Sequence, residues 1–213
     1  MHSQSIAQDY FVLSLTENGM MPLMRKEESN GGIVVAAYMD LLVNQVISEH
    51  KKKITVEKEL VKDLEHLSSL YQYLKEKPRT TEKMMCDYLM STTARIKQLI
   101  ADLGASLIEK HALTKEETGL LGTKTLYFPD KTYKEQTIES LKSSIAGQKD
   151  MNMQNLALVC ILKETKNLNQ YFSKYERNDL EKKLKEMKKN PENKKLAEML
   201  NYVDDMTALI VAT

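Results

Sequence analysis

The sequence has almost no excess of charge of either sign. Its 31 lysine and arginine residues face 30 aspartate and glutamate residues, so the formal net charge is +1. Proteins that bind duplex nucleic acid usually carry a strongly basic balance, and we therefore expect no nucleic-acid partner. Hydrophobic residues make up 42% of the chain and charged residues 29%, which favours a packed globular core over intrinsic disorder.

Cysteine is scarce, and long apolar runs are missing. Cys86 and Cys160 lie among apolar residues without CxxC or Cys/His spacing, which favours buried thiols in a reducing compartment over a disulfide or a metal site. The most apolar run, 33–43, has 11 residues and contains Asp40, whereas a membrane-spanning helix needs about 20 residues. This run is interpreted as a core element. The first ten residues lack the basic and apolar regions of a signal peptide, so we expect a cytoplasmic protein.

The sequence also lacks the motifs that carry catalysis. Its four histidines lie in unrelated contexts, without a second ligand at the HExxH spacing. No GxSxG, Walker or GxGxxG motif occurs, and Gly31-Gly32 indicates a tight turn into the following helix. We therefore expect that the protein is not an enzyme, needs no cofactor or metal, and acts by binding.

Apolar residues recur at spacings of three and four along most of the chain, as in amphipathic helices. The clearest pattern covers 91–110, and further helices are predicted at 56–74, 133–146, 156–162, 180–187 and 196–211. Thr132 has capping-box spacing to Glu135. The apolar segment 10–15 before Asn18-Gly19 indicates either a short strand or the end of a buried helix. We expect a mainly α, single-domain helical bundle over 1–213.

One segment breaks the helical pattern. Between Leu120 and Phe128, apolar residues flank 122–124, which predicts a short β-hairpin with a three-residue loop. The hairpin contains five large apolar residues: Leu120, Leu121, Leu126, Tyr127 and Phe128. Exposing all of them to water would be unfavourable, so they belong in the core, against a second copy of the hairpin, or at a lipid interface. The sequence leaves these three locations open.

Lysines are concentrated in two places, 51–53 and 182–195. In the second, seven lysines face two glutamates, which gives a local net charge of +5. Such runs are usually solvated faces of helices. The alternative is attraction to an anionic membrane surface.

The order of segments resembles the Golgi phosphoprotein 3 family, a group of helical peripheral membrane proteins. The resemblance begins with FVLSL at 11–15, Asn18-Gly19 and GGIV at 31–34. It continues with SLIEK at 106–110, LT at 113–114, the hairpin, KEQ at 134–136, LALV at 156–159 and the apolar C-terminal helix. No single segment is specific, whereas their order and spacing over nearly the whole chain are.

The resemblance implies a helical bundle that binds the head group of phosphatidylinositol 4-phosphate and inserts an apolar hairpin into the membrane. The family's head-group pocket uses a tryptophan and an arginine before the glycine pair, but this chain has no tryptophan and has Asn30 there. Two further family arginines, spaced by three, correspond to Lys97 and Ile100. A bidentate arginine pair is thus replaced by one point charge.

The resemblance places the head-group site at Lys97. By position in the sequence, Arg95 is its neighbour on the same helix, and Arg25 and Lys26 are within reach from the loop before Gly31. The family's Golgi members act as adaptors that retain glycosyltransferases through the vesicle coat, using an arginine-containing arm. Such an arm is missing here, which indicates a stand-alone, bacterial-type member. The sequence therefore favours a cytoplasmic protein that binds anionic, phosphoinositide-like lipid at a membrane surface. The alternative is a soluble protein-interaction module that has lost lipid binding and uses the hairpin for a protein partner or self-association.

Overall fold

The computed structural model describes residues 5–91, 93–119, 124–147, 152–189 and 194–212. The helices in these ranges are α1 (Ile6–Ser14), α2 (Lys26–Val43), α3 (Ser68–Lys75), α4 (Thr81–Cys86), α5 (Thr93–Glu109), α6 (Lys131–Ile145), α7 (Met153–Glu164), α8 (Lys174–Lys189) and α9 (Lys194–Ala212). The strands are β1 (Ile47–His50), β2 (Lys53–Val56), β3 (Arg79–Thr80), β4 (Leu113–Thr118) and β5 (Lys124–Pro129). The predicted mainly α class is confirmed.

The centre of the fold is formed by α2 and α7, which are buried around their whole circumference over most of their length. Helix α2 is buried without interruption from Ser29 to Leu41, and α7 from Asn155 to Leu162. A helix of this kind must be covered on every side. Helices α1 and α9 both pack on α2 and α7. The apolar run at 33–43 is thus confirmed as a core element.

The glycine pair lies inside α2, so the predicted tight turn is wrong. A Cβ atom on Gly31 would lie 2.7 Å from the Ile210 side chain of α9, and one on Gly32 would lie 2.1 Å from the Tyr10 hydroxyl of α1. Both distances are far below van der Waals contact. The pair therefore removes side chains where two helices approach the same turn of α2, and it does not form a phosphate-binding loop.

Two helix starts differ from the prediction. Helix α6 begins at Lys131, where the Asp130 carboxylate accepts the N–H of Tyr133 over 2.8 Å, so the capping role predicted for Thr132 is wrong. The helix predicted over 56–74 is wrong in its first half, because β2 ends at Val56 and a 3₁₀ helix, Lys62–Leu67, precedes α3. The segment 10–15 is the end of the buried helix α1, with Leu15 as its C-cap, so the second of its two predicted alternatives is confirmed.

The strands form two small antiparallel sheets, of which the sequence predicted only one. The first has the order β1-β2-β3, with Ile47 opposite Val56. The second is the β4–β5 hairpin, paired from Leu113 and Pro129 to Thr118 and Lys124. Its first strand begins earlier than predicted and is polar. A strand exposed on both faces has no alternation of apolar residues by which it could be recognised.

Both cysteines are free thiols, but the prediction that both are buried is confirmed only for Cys160 and is wrong for Cys86. Cys160 is buried in α7, and Cys86 is half-buried at the end of α4. Burial raises the pKa of the Cys160 thiol to about 12. Because the thiolate is the nucleophilic and metal-binding form, this protonated side chain acts as an apolar core residue.

Candidate functional site

The base of the hairpin is fixed to the body of the protein through Tyr127. A Cβ atom on Gly104 of α5 would lie 2.5 Å from the Tyr127 ring, so the missing side chain creates the space that the ring fills. The ring also meets Phe11 edge to face, with 5.3 Å between centroids. The N–H of Tyr127 donates to the carbonyl oxygen of Gly19 over 2.9 Å. These contacts join β5 to α5, α1 and the turn at Gly19.

Leu126 and Phe128 also pack on the body of the protein. Both lie against Gly19, where an added Cβ atom would be 3.1 Å from each side chain. Both are half-buried, as is Tyr127. Three of the five apolar residues predicted for membrane contact therefore have much of their surface against the protein. Leu120 and Leu121 lie outside the described residues, so their membrane contact stays a prediction.

The outer end of the hairpin, residues 116–118 and 124–125, is exposed on both strands. On β4 only Leu113 is buried. Antiparallel strands rise about 3.4 Å per residue, so strands of six residues extend about 20 Å. The hairpin thus has a packed base and a solvated outer end. Among the residues that the structure describes, no helix is both long and apolar enough to cross a bilayer.

The two predicted cations of α5 do not act as a pair. Arg95 and Lys97 are both exposed, but residues two positions apart on a helix point in different directions. The Arg95 guanidinium lies over the Tyr73 ring of α3, 5.2 Å from its centroid. Within the described ranges, Lys97 has no ion-pair partner. Ile100, one turn further on, is half-buried and packs against the core.

Arg25 and Lys26 lie where a 3₁₀ helix, Leu23–Arg25, meets α2. Arg25 donates a hydrogen bond to the carbonyl oxygen of Lys166, in the connection between α7 and α8. Lys26 is exposed, as is Lys166. The predicted head-group cations are therefore held by different elements, Arg25 by the α7–α8 connection and Arg95 by α3.

The lysine-rich region of α8 is partly neutralised. Lys183 forms an ion pair with Asp179 over 3.0 Å, and Lys188 pairs with Asp204. Between α7, α8 and α9 lies a cavity of about 540 Å³ whose charged lining is Lys163, Glu164, Glu181, Lys185, Lys188 and Asp204. Bases and acids balance in this lining. The arrangement favours the interpretation of α8 as a solvated face.

One feature of the surface was not found from the sequence. Leu23 and Met24 are 80% and 96% exposed, and the cations Arg25 and Lys26 follow them directly. Two apolar residues in a short turn carry no periodic pattern. The sequence feature that could have indicated this surface is an apolar pair followed by two cations. It lies in a stretch whose apolar residues match neither the helical nor the strand period.

The sequence model of the family described as Golgi phosphoprotein 3 (GPP34) matches residues 6–203. This range runs from α1 into α9 and includes the hairpin and the cations described above. No curated protein matches the chain.

Proposed function

The chain belongs to the Golgi phosphoprotein 3 family, and we propose that it is a peripheral membrane protein that recognises anionic lipid head groups. The observation that carries the proposal is the form of the hairpin. Its base is fixed by Tyr127 against Gly104, whereas its outer end is exposed on both strands. Leu120 and Leu121 belong to the segment that connects these strands. A hairpin that is fixed at its base and carries an apolar connecting segment at its outer end is suited to shallow contact with a lipid interface.

The cations suit electrostatic attraction better than shape-specific recognition. Lys97 offers a single exposed ammonium group, and Lys26 offers another. An ammonium group is a point charge, whereas a pair of arginines would grip a phosphate through parallel hydrogen bonds. The protein should therefore discriminate weakly between phosphatidylinositol 4-phosphate and other anionic lipids.

The expected attachment is reversible. Each large apolar side chain removed from water contributes roughly 1.5 to 3 kcal/mol, and each lysine near an anionic surface contributes about 1 kcal/mol. Association itself costs roughly 4 kcal/mol or more. Two leucines with two lysines contribute roughly 5 to 8 kcal/mol, a surplus of about 1 to 4 kcal/mol over this cost, of which the lysines supply about 2 kcal/mol. Binding should therefore need both apolar contact and anionic lipid, and it should weaken as salt screens the charges.

A second candidate function is a protein-interaction module of the same fold. It is favoured by the packing of Leu126, Tyr127 and Phe128, which leaves less apolar surface for lipid. The attachment of Arg95 to Tyr73 favours it as well, because this guanidinium is already engaged with a ring of the protein. In this alternative, the exposed outer end of the hairpin would contact a protein.

Co-sedimentation with vesicles separates the two functions. Vesicles of phosphatidylcholine alone are compared with vesicles that also contain phosphatidylserine or phosphatidylinositol 4-phosphate, each at low and high salt. Membrane recognition predicts sedimentation with both anionic compositions, reduced at high salt. Absence of the protein from every vesicle pellet would contradict membrane recognition and leave the interaction module.

A further inference from the structure

Leu23 and Met24 form an unusual surface feature of this protein. The described residues include five exposed large apolar side chains, and the others, Val61, Met90 and Tyr175, stand singly in sequence. Isolated exposed apolar residues are common on soluble proteins and carry no implication. Leu23 and Met24 are adjacent and almost fully exposed, so neither gains the stabilisation that burial gives an apolar side chain. Only a partner outside the chain would cover them.

The pair lies beside the hairpin. The carbonyl oxygen of Gly19 accepts the N–H of Tyr127 in β5. Leu23 follows Gly19 by four residues, and an extended chain spans at most about 3.6 Å per residue, so the two Cα atoms lie within about 14 Å. The apolar pair and the base of the hairpin therefore belong to the same region of the surface.

The pair is also held in place and accompanied by positive charge. It lies in the 3₁₀ helix that ends at Arg25, and the hydrogen bond from Arg25 to the Lys166 carbonyl fixes that end. Lys26 and Lys166 are exposed nearby. Glu27 and Glu28 follow in the first turn of α2, where acidic residues interact favourably with the helix dipole. The exposed pair is thus presented from a fixed turn beside three cations and two carboxylates, which leaves a small positive local charge.

We propose that Leu23 and Met24 form a second membrane contact, an apolar wedge that enters the interfacial region of an anionic bilayer beside the hairpin. This inference rests on the proposed membrane function. A stable protein interface buries about 800 Å² on each partner, and two side chains supply only a fraction of that area. A bilayer requires no such area, since it solvates single apolar side chains and attracts the adjacent cations.

The absence of tryptophan from the chain permits a direct test. A Met24→Trp variant carries one tryptophan at the wedge, and Met90→Trp is the matched control at another exposed methionine. On vesicles containing phosphatidylserine, the emission of Met24→Trp should shift to shorter wavelength and be quenched by lipids brominated on their acyl chains. The control should do neither. Unchanged emission from Met24→Trp in vesicle-bound protein would overturn the proposal.

A binding measurement completes the test. Leu23→Ser combined with Met24→Ser should lower the partition onto phosphatidylserine vesicles at least tenfold, while Met90→Ser leaves it unchanged. If wild-type protein binds and the double variant binds equally well, the wedge is wrong and the proposed function stands. If wild-type protein binds no vesicle, the proposed membrane function is wrong, and the wedge that rests on it is wrong as well. If the double variant instead reduces self-association in light scattering, with vesicle binding unaltered, the pair is a contact between copies and the wedge is overturned.

Discussion

The Asp40 carboxylate of α2 accepts a hydrogen bond from the backbone N–H of Ile6, the first residue of α1, over 2.9 Å. The N–H of Ala7 and the Ser5 hydroxyl also donate to Asp40, each over 2.8 Å. The Ser5 oxygen lies 3.0 Å from Nε2 of His66. A buried carboxylate thus satisfies N–H groups that the start of a helix leaves unpaired. Burial raises the pKa of Asp40 to about 7 and lowers the pKa of His66 to about 4.

Asp40 and His66 should give opposite pH dependences of stability. The folded pKa of Asp40 exceeds the ordinary value of about 3.9, so its contribution to the free energy of unfolding falls as pH rises from about 4 to about 7. The folded pKa of His66 lies below the ordinary value of about 6.5, so its contribution rises between about pH 4 and 6.5. Neighbouring charges act in the same directions, Asp9 on Asp40 and Lys110 on His66.

We predict that the two effects largely cancel in the wild-type protein and are separated by single substitutions. Relative to wild type, Asp40→Asn should show stability that increases with pH over this range, because His66 remains. His66→Gln should show stability that decreases with pH. Thermal unfolding at several pH values measures both slopes, with a maximum of about 1.4 kcal/mol per pH unit for one group. Curves parallel to wild type for both variants would contradict the assigned pKa shifts.

Gly32→Ala should destabilise the fold strongly. The new Cβ atom would lie 2.1 Å from the Tyr10 hydroxyl, which is buried and hydrogen-bonded to Thr165 over 3.0 Å. Overpacking of this kind costs about 3 kcal/mol, which lowers the melting temperature of a chain of this size by roughly 6 to 12 °C. Gly147→Ala is the control, because its Cβ meets open space and only the positive φ of 77° is strained. A melting temperature for Gly32→Ala equal to that of the control would refute the close helix contact.

Lys97→Ala should weaken vesicle binding without altering helicity. Removal of one exposed ammonium group near an anionic surface costs about 1 kcal/mol, which corresponds to roughly a fivefold weaker partition. Lys182→Ala on the solvated face of α8 is the matched control and should bind like wild type. Co-sedimentation with phosphatidylinositol 4-phosphate vesicles measures the effect, and circular dichroism monitors helicity. An effect of Lys182→Ala larger than that of Lys97→Ala would move the head-group site to α8.

The connecting segment of the hairpin can be tested apart from its base. Leu120→Ser with Leu121→Ser should reduce binding to anionic vesicles by tenfold or more and leave the melting temperature unchanged. Phe128→Ser is unsuitable for this purpose, because Phe128 packs against Gly19. Lys124→Glu with Lys131→Glu should weaken binding mainly at low salt. A marked fall in melting temperature for the double serine variant would show that these leucines belong to the core.

The sequence predicted most clearly the helices that bury one face and expose the other, because their apolar residues recur with the helical period. The helix expected at 91–110 corresponds to α5, Thr93–Glu109, because Ile96, Leu99 and Leu103 repeat on its buried face. The hairpin was predicted, but the position of its first strand, β4, was not, because the residues of β4 after Leu113 are exposed and leave no pattern. A glycine pair looks the same in a turn and in a close helix contact. Only the positions of Tyr10 and Ile210 distinguish the two.

The candidate site shows the same limit. The resemblance to the family supplied Lys97 and the membrane role of the hairpin, because both depend on the order of segments along the chain. The hairpin itself was predicted from the apolar residues that flank 122–124. It could not supply the attachment of Arg95 to Tyr73 or the hydrogen bond of Arg25 to Lys166, which depend on contacts between distant segments. The exposure of Leu23 and Met24 likewise depends on what the rest of the fold leaves uncovered.

The contact between Gly31 of α2 and Ile210 of α9 can form only after nearly all of α9 has left the ribosome. One of the two helices that meet the glycine pair, α1, precedes α2 in the chain, while the other contributes Ile210, nearly at the end of α9. Contacts of such sequence separation form slowly, because a long loop must be closed first. The Gly31 side of α2 therefore stays uncovered while the segments between them leave the ribosome. Until α9 packs, the nascent chain exposes this part of its central helix, and exposed apolar surface favours aggregation.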